Sequence, residues 1–213
     1  TSFLKFCDRT KAKKGVGIKE LFEKDVNFMR AIELANFAKS QGMEHSKLPK
    51  LKEVISSVKD KVLIFTSYRD SVNVINDTLQ KMGINSEILI GKAGETGLKQ
   101  QKQIETVQRF RDGLTKVLVA TRVGEEGLDI SEVNLVIFYD NVPSSIRFIQ
   151  RKGRTGRKTQ GRLVVLIAKD TIDQVYYHIG QRKIKSAKQM GDKLSKKLEN
   201  NDLSSTESLD GFI

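Results

Sequence analysis

The chain has 213 residues, enough for one α/β domain with extensions but tight for two complete domains. Lys and Arg outnumber Asp and Glu by 38 to 26, and the net charge of +12 points to a polyanionic partner over charge that serves solubility alone. A single cysteine, Cys7, excludes an intrachain disulfide and a cysteine-built zinc site, His45 and His178 lack ligand spacing, and no apolar run approaches the roughly 20 residues of a membrane span.

That cysteine usage makes a reducing, intracellular setting in the cytoplasm or nucleoid the expectation, and the first residues do not read as a secretory h-region. The start at Thr1, where a natural start would place Met, suggests a fragment.

In chain order, residues 1–17 are basic, with Lys11, Lys13, Lys14, Gly15 and Gly17, and read as a loose leading segment. Residues 18–41 read as one helix with Leu21, Phe22, Val26 and Met29 on one side, stopped near Gly42. A second helix is predicted from about Pro49 to Val58, where Leu51, Val54, Ile55 and Val58 fall at helical spacing and Pro49 suits a first turn. The period then changes. Val62–Thr66 is a continuous apolar run ending in a hydroxyl, as expected of a strand buried on both faces. A helix follows, with Val72, Ile75, Leu79 and Met82 on one face and Gly83 as its stop.

A strand over 87–90, a Gly-rich loop over 91–97, a helix over 98–111 and a strand over 116–121 come next. Ile104, Val107 and Phe110 read as the core stripe of that helix, while Lys92 and Lys99 read as a solvated or nucleic-acid-facing pair. A strand over 134–139, a short helix near Ser144 and a last strand over 162–168 complete the alternation. Strands alternating with helices imply βαβ units and a parallel sheet. A long, increasingly Lys-rich helix begins at Thr171, with Thr171 and Gln174 as a capping box, and residues 201–213 form a Ser- and acid-rich tail expected to be disordered. The organisation expected is a helical extension over 1–59, an α/β lobe over 60–170, a basic helix over 171–200 and a tail over 201–213.

Open parallel sheets bind ligands beyond the carboxyl ends of their strands. Four segments lie there. Gln150-Arg151-Lys152-Gly153-Arg154-Thr155-Gly156-Arg157 places Arg154 and Arg157 three apart, on one face if helical. Guanidinium groups stay charged and bind phosphate oxygens bidentately, so they suit the charge on a transferring phosphoryl group. Val117–Ile130 delivers Thr121 and a Gly-containing loop that suit a nucleic-acid phosphate. Val62–Ser71 ends in Thr66, Ser67 and Arg69, which suit a phosphate backbone. There Asp70 or Ser71 is expected to cap the next helix. Gly91–Gly97 is the fourth. No Gly-x-x-x-x-Gly-Lys-Ser/Thr phosphate loop occurs, nor a strand-borne Asp-Glu pair of the magnesium-binding type.

The first three segments resemble, in order and spacing, motifs VI, V and IV of superfamily 2 helicases. The stretches from Gly94 to Gly113 and from Val119 to Arg157 resemble most the archaeal Hef and Fanconi anaemia M-type DNA helicases. That likeness implies a RecA-like parallel sheet flanked by helices, the second lobe of a two-lobe motor. It implies ATP bound between lobes, with Mg2+ held mainly by an N-terminal RecA-like lobe. Arg154 and Arg157 would act as arginine fingers. Gly127, Asp129 and Gln150 would join them around the nucleotide, Asp129 on the ribose. Thr66, Ser67, Arg69, Thr121, Arg122 and Arg151 would face nucleic acid, forked or branched DNA in preference to RNA. Without the phosphate loop, this chain alone is expected to be inactive as an ATPase. A stand-alone nucleic-acid-binding module and an RNA helicase lobe of Dicer or RIG-I type remain as alternatives. In the tail, Leu209, Phe212 and Ile213 have the spacing of a sliding-clamp peptide, although Thr206 stands where such peptides begin with Gln.

Overall fold

The computed structural model describes residues 2–13, 15–92, 97–121, 133–141 and 161–199. Five strands form one parallel sheet: β1 (Val62–Phe65), β2 (Ser86–Leu89), β3 (Val117–Ala120), β4 (Leu135–Phe138) and β5 (Arg162–Val165), in the order β2-β3-β1-β4-β5. The central strands β1, β3 and β4 are four-residue apolar runs, buried throughout. Alternate residues point to opposite faces and define two cores. Val62, Ile64, Val117, Val119, Leu135 and Ile137 line one face. Leu63, Phe65, Leu118, Ala120, Val136 and Phe138 line the other.

Helices α4 (Lys47–Ser56) and α5 (Arg69–Lys81) cover the first face. Leu51 and Ile55 of α4 and Val72, Ile75 and Leu79 of α5 are fully buried there. α4, grouped with the helical extension on sequence grounds, thus contributes to the core of the sheet itself. Helix α6 (Gln100–Arg111) packs Val107 and Phe110 on the second face. Its stripe differs from the expected one: Ile104 is 54% exposed, and Gln103 and Thr106 are buried in its place. The Gln103 amide can occupy that interior because it donates to the carbonyls of Ile90 and Leu98, at 3.1 and 2.8 Å.

The leading segment is not loose: Ser2–Lys11 is a helix, α1, with Leu4 and Cys7 buried. The expected single helix over 18–41 is two, α2 (Val16–Glu23) and α3 (Val26–Ser40). Asp25 breaks them by capping α3, its carboxylate accepting from the Phe28 N–H at 2.9 Å. Phe28 then meets Phe3 and Phe22 edge-to-face, joining the three helices. α3 ends before Gly42, and α5 and α6 end before Gly83 and Gly113, all at positive φ, where a Cβ would be strained. The last helix, α7, spans Ile172–Glu199. Its cap is a displaced version of the expected box. Thr171 Oγ1 accepts from the Asp173 N–H, while Gln174 reaches back one residue further, to the Asp170 N–H. The short helix expected near Ser144 and the tail lie outside the described residues.

Candidate site at the carboxyl ends of the strands

In a parallel sheet all carboxyl ends share one edge. The order β3-β1-β4 therefore sets Thr121, Thr66 and Tyr139-Asp140 side by side, each just past its strand. Residues 122–132 and 142–160 leave from that same edge, after β3 and after β4.

The turn from β1 to α5 is the best-defined part. Thr66 is fully buried, and its hydroxyl donates to Asp140 Oδ2 at 2.5 Å. The Ser67 N–H donates to the same oxygen at 2.8 Å, and Ser67 itself is exposed. Tyr68, not Asp70 or Ser71, is the N-cap of α5, and it makes no side-chain cap bond. Asp70 instead bonds to Lys5 of α1 at 2.8 Å, a partly exposed ion pair that ties the leading helix to the lobe. The expected caps fail because α5 starts at Arg69, which puts Asp70 inside its first turn. Arg69 is half-buried, and its Nη2 donates to the Gly91 carbonyl at 2.8 Å, joining this turn to the end of β2. Thr121 is buried, with its N–H donating to the Leu89 carbonyl at 3.1 Å. Gly97 lies close against the backbone of Lys92: a Cβ on it would lie 2.1 Å from the Lys92 carbonyl oxygen.

Behind this edge lies a charged cluster that motif reading missed. Lys47, only 5% exposed, donates from Nζ to the Tyr139 carbonyl at 2.6 Å and forms a close ion pair with Asp173 of α7. Its Nζ lies 4.0 Å from Asp140 Oδ1 and 5.4 Å from the Tyr139 ring centroid. Asp173 also accepts from the Ala168 N–H at 3.0 Å. Burial, followed by the charges of Asp140, Asp173 and Glu44, pushes the Tyr139 phenol up to about 12. Asp140 was findable as the first acidic residue after an apolar strand. Lys47 carried no such signal.

Arg122, Gly127 and Asp129, and Gln150, Arg151, Arg154 and Arg157, lie outside the described residues, as do Leu209, Phe212 and Ile213. Among the described residues no group of three His, Cys, Asp or Glu could hold a metal ion, and no helix is long and apolar enough to cross a membrane.

Comparison with known proteins matches residues 46–159 to the helicase conserved C-terminal domain family. A Methanocaldococcus jannaschii protein, named as an ATP-dependent RNA helicase, is 39% identical over 190 residues, covering 85% of this chain and 23% of that protein. The ATP-dependent DNA helicase MPH1 of Pyricularia oryzae is 46% identical over 121 residues, covering 54% of this chain and 11% of that protein. The crystal structure of the Pyrococcus furiosus Hef helicase domain matches with a TM-score of 0.59 and 42% identity, over 82% of this chain and 36% of that one. The chain thus spans less than a quarter of the length of either relative.

Proposed function

Because the chain belongs to the helicase conserved C-terminal domain family, we propose that it is the second RecA-like lobe of an ATP-dependent helicase or translocase acting on forked or branched DNA. The observation that carries this reading is the shared edge. Ser67, Arg69 and Thr121 stand there together, and the two segments holding the arginines and Asp129 leave from it. The likeness to Hef and to a DNA helicase supports DNA as the substrate.

In this reading Ser67, Arg69, Thr121, Arg122 and Arg151 meet nucleic-acid phosphates, with Thr66 beneath them. Phosphate contacts position a strand without reading its sequence, as a translocating motor requires. Gly127, Asp129, Gln150, Arg154 and Arg157 face a nucleotide held with Mg2+ mainly by an N-terminal RecA-like lobe. Guanidinium and carboxylate groups suit phosphate and ribose hydroxyl respectively. When bound between the lobes, ATP supplies the free energy that changes the gap between them. Work on DNA places the protein inside the cell. Leu209, Phe212 and Ile213 serve as a sliding-clamp peptide, and a tail deletion that leaves clamp affinity unchanged refutes that part.

The test is ATP hydrolysis, with and without forked DNA, by this chain alone and by the natural protein carrying the preceding lobe. Silence from the chain and fork-stimulated turnover from the longer protein are expected. Silence from both, with DNA still bound, leaves a binding module instead. A second reading, an RNA helicase lobe, draws on the name of the Methanocaldococcus relative. Stronger stimulation by RNA than by forked DNA selects it, since 2′-hydroxyl contacts distinguish the two.

A further inference from the structure

The polar anchors of the β1–α5 turn come from the ends of other strands: Asp140 lies 74 positions past Thr66, and Gly91 lies 22 past Arg69. Asp140 Oδ2 accepts from two consecutive donors, the Thr66 hydroxyl at 2.5 Å and the Ser67 N–H at 2.8 Å. Two bonds from adjacent residues to one oxygen fix both the position and the tilt of the turn. On its other flank, Arg69 is tied to the Gly91 carbonyl at 2.8 Å. The turn is therefore held between the end of β4 and the end of β2, with exposed Ser67 at its crest.

We propose that Asp140 is a positioning residue for nucleic-acid contact, holding the Thr66–Arg69 turn in its binding geometry, and that Lys47 of α4 in turn fixes Asp140. The proposal rests on the reading of this turn as a phosphate contact.

Three observations carry it. Thr66 is wholly buried, so its hydroxyl serves Asp140 rather than an outside ligand. Lys47 donates to the carbonyl of Tyr139, the residue before Asp140, and its ammonium lies 4.0 Å from Asp140 Oδ1. The same ammonium pairs with Asp173, which joins α7 to the cluster. Buried ion pairs add little net stability but can impose one arrangement on the groups they join. A turn set in advance spares a bound phosphate the cost of ordering it, which appears as affinity. Asp140 thereby acts on how tightly DNA is held, while the chemistry of ATP belongs to other residues.

The experiment uses the natural two-lobe protein and titrates its ATP hydrolysis with forked DNA. Asp140→Ala removes both bonds. A bond to a charged acceptor is strong enough that half-saturating DNA should rise about tenfold. The rate at saturating DNA should stay within about twofold, and the half-saturating ATP concentration should not move. Asp140→Asn keeps one acceptor oxygen and should restore most of the affinity. Thr66→Val, of nearly the same shape, removes one bond and should raise half-saturating DNA about threefold; it decides the matter if Asp140→Ala does not fold. Unchanged half-saturation in folded Asp140→Ala or Thr66→Val overturns the proposal, as does loss of the saturated rate alone. A wild-type protein indifferent to forked DNA overturns the phosphate reading beneath it, and so the two failures are told apart.

Discussion

Lys47→Met should destabilise the chain well beyond what a surface lysine would. The methionine keeps the length and apolar stem of the side chain but removes the ammonium, so packing changes little and charge changes fully. Lys47 is 5% exposed, and Asp173 and Asp140 keep only 14% and 18% of their side-chain surface in solvent. The substitution leaves the Tyr139 carbonyl without this donor and Asp173 without its cation. Breaking a buried pair from one side costs about 3–5 kcal/mol. The lower end applies, because Asp173 keeps the Ala168 N–H and Asp140 keeps Thr66 and Ser67. For a domain of this size about 3 kcal/mol corresponds to a fall in Tm of roughly 6–12 °C. Thermal unfolding followed by circular dichroism reads it directly. Lys47→Met/Asp173→Asn supplies the control, since the neutral amide can still accept from Ala168 while the stranded charge is gone. Its loss should be at least 1 kcal/mol smaller than the sum of the two single losses, as expected for coupled groups. A fall below about 2 °C for Lys47→Met, or strict additivity in the double variant, refutes a buried, coupled cluster.

On the proposed two-lobe motor reading, Arg157→Ala in the natural protein should cut DNA-stimulated ATP hydrolysis by about a thousandfold or more while sparing most DNA binding; retained hydrolysis removes the arginine-finger role. Tyr139, with its phenol raised to about 12, keeps its proton in the folded chain after unfolded tyrosine ionises near 10. Its contribution is complete below pH 10 and is lost as pH rises toward 12. Tyr139→Phe should flatten alkaline destabilisation over that window, and phenolate absorbance should lose its latest-appearing component. Gly97→Ala should lower Tm by several degrees, because its Cβ would meet backbone at 2.1 Å, whereas Gly17→Ala, in an open helical position, should be neutral or slightly stabilising. Equal effects at the two glycines refute the close approach at Gly97.

The sheet was legible because its central strands are buried on both faces. Val62–Phe65, Val117–Ala120 and Leu135–Phe138 leave no polar position to confuse the period, and their bounds fall within a residue or two of expectation. The helical part was harder for a definite reason. Leu21, Phe22, Val26 and Met29 keep helical spacing across the break at Asp25, so the apolar period runs straight through a real boundary. Only the cap itself marks it, and an Asp three residues before a Phe N–H is visible as a cap once the backbone is known. α6 misled in the opposite way. Its interior accepts Gln103 because two carbonyls satisfy the amide, and no count of apolar residues foresees those partners.

The site divides along the same line. Residues that lie just past an apolar strand could be found one strand at a time, which is how Thr66, Ser67, Arg69 and Thr121 entered. Their mutual arrangement could not, because it depends on the order β2-β3-β1-β4-β5, which local pattern does not encode. That order sets the end of β1 against the end of β4 and brings Asp140 to Thr66 across 74 positions of sequence. Lys47 is more remote still, 92 positions from the carbonyl it binds, and it stands at the start of a helix in a chain with 38 basic residues. Nothing local separates it from the other cations. Burial does, since an ammonium taken out of water must find acceptors, and the carboxylates and carbonyl it finds belong to the residues just past β4 and to α7. The motif residues are thus read from sequence, and the residues that hold them in place are read from topology.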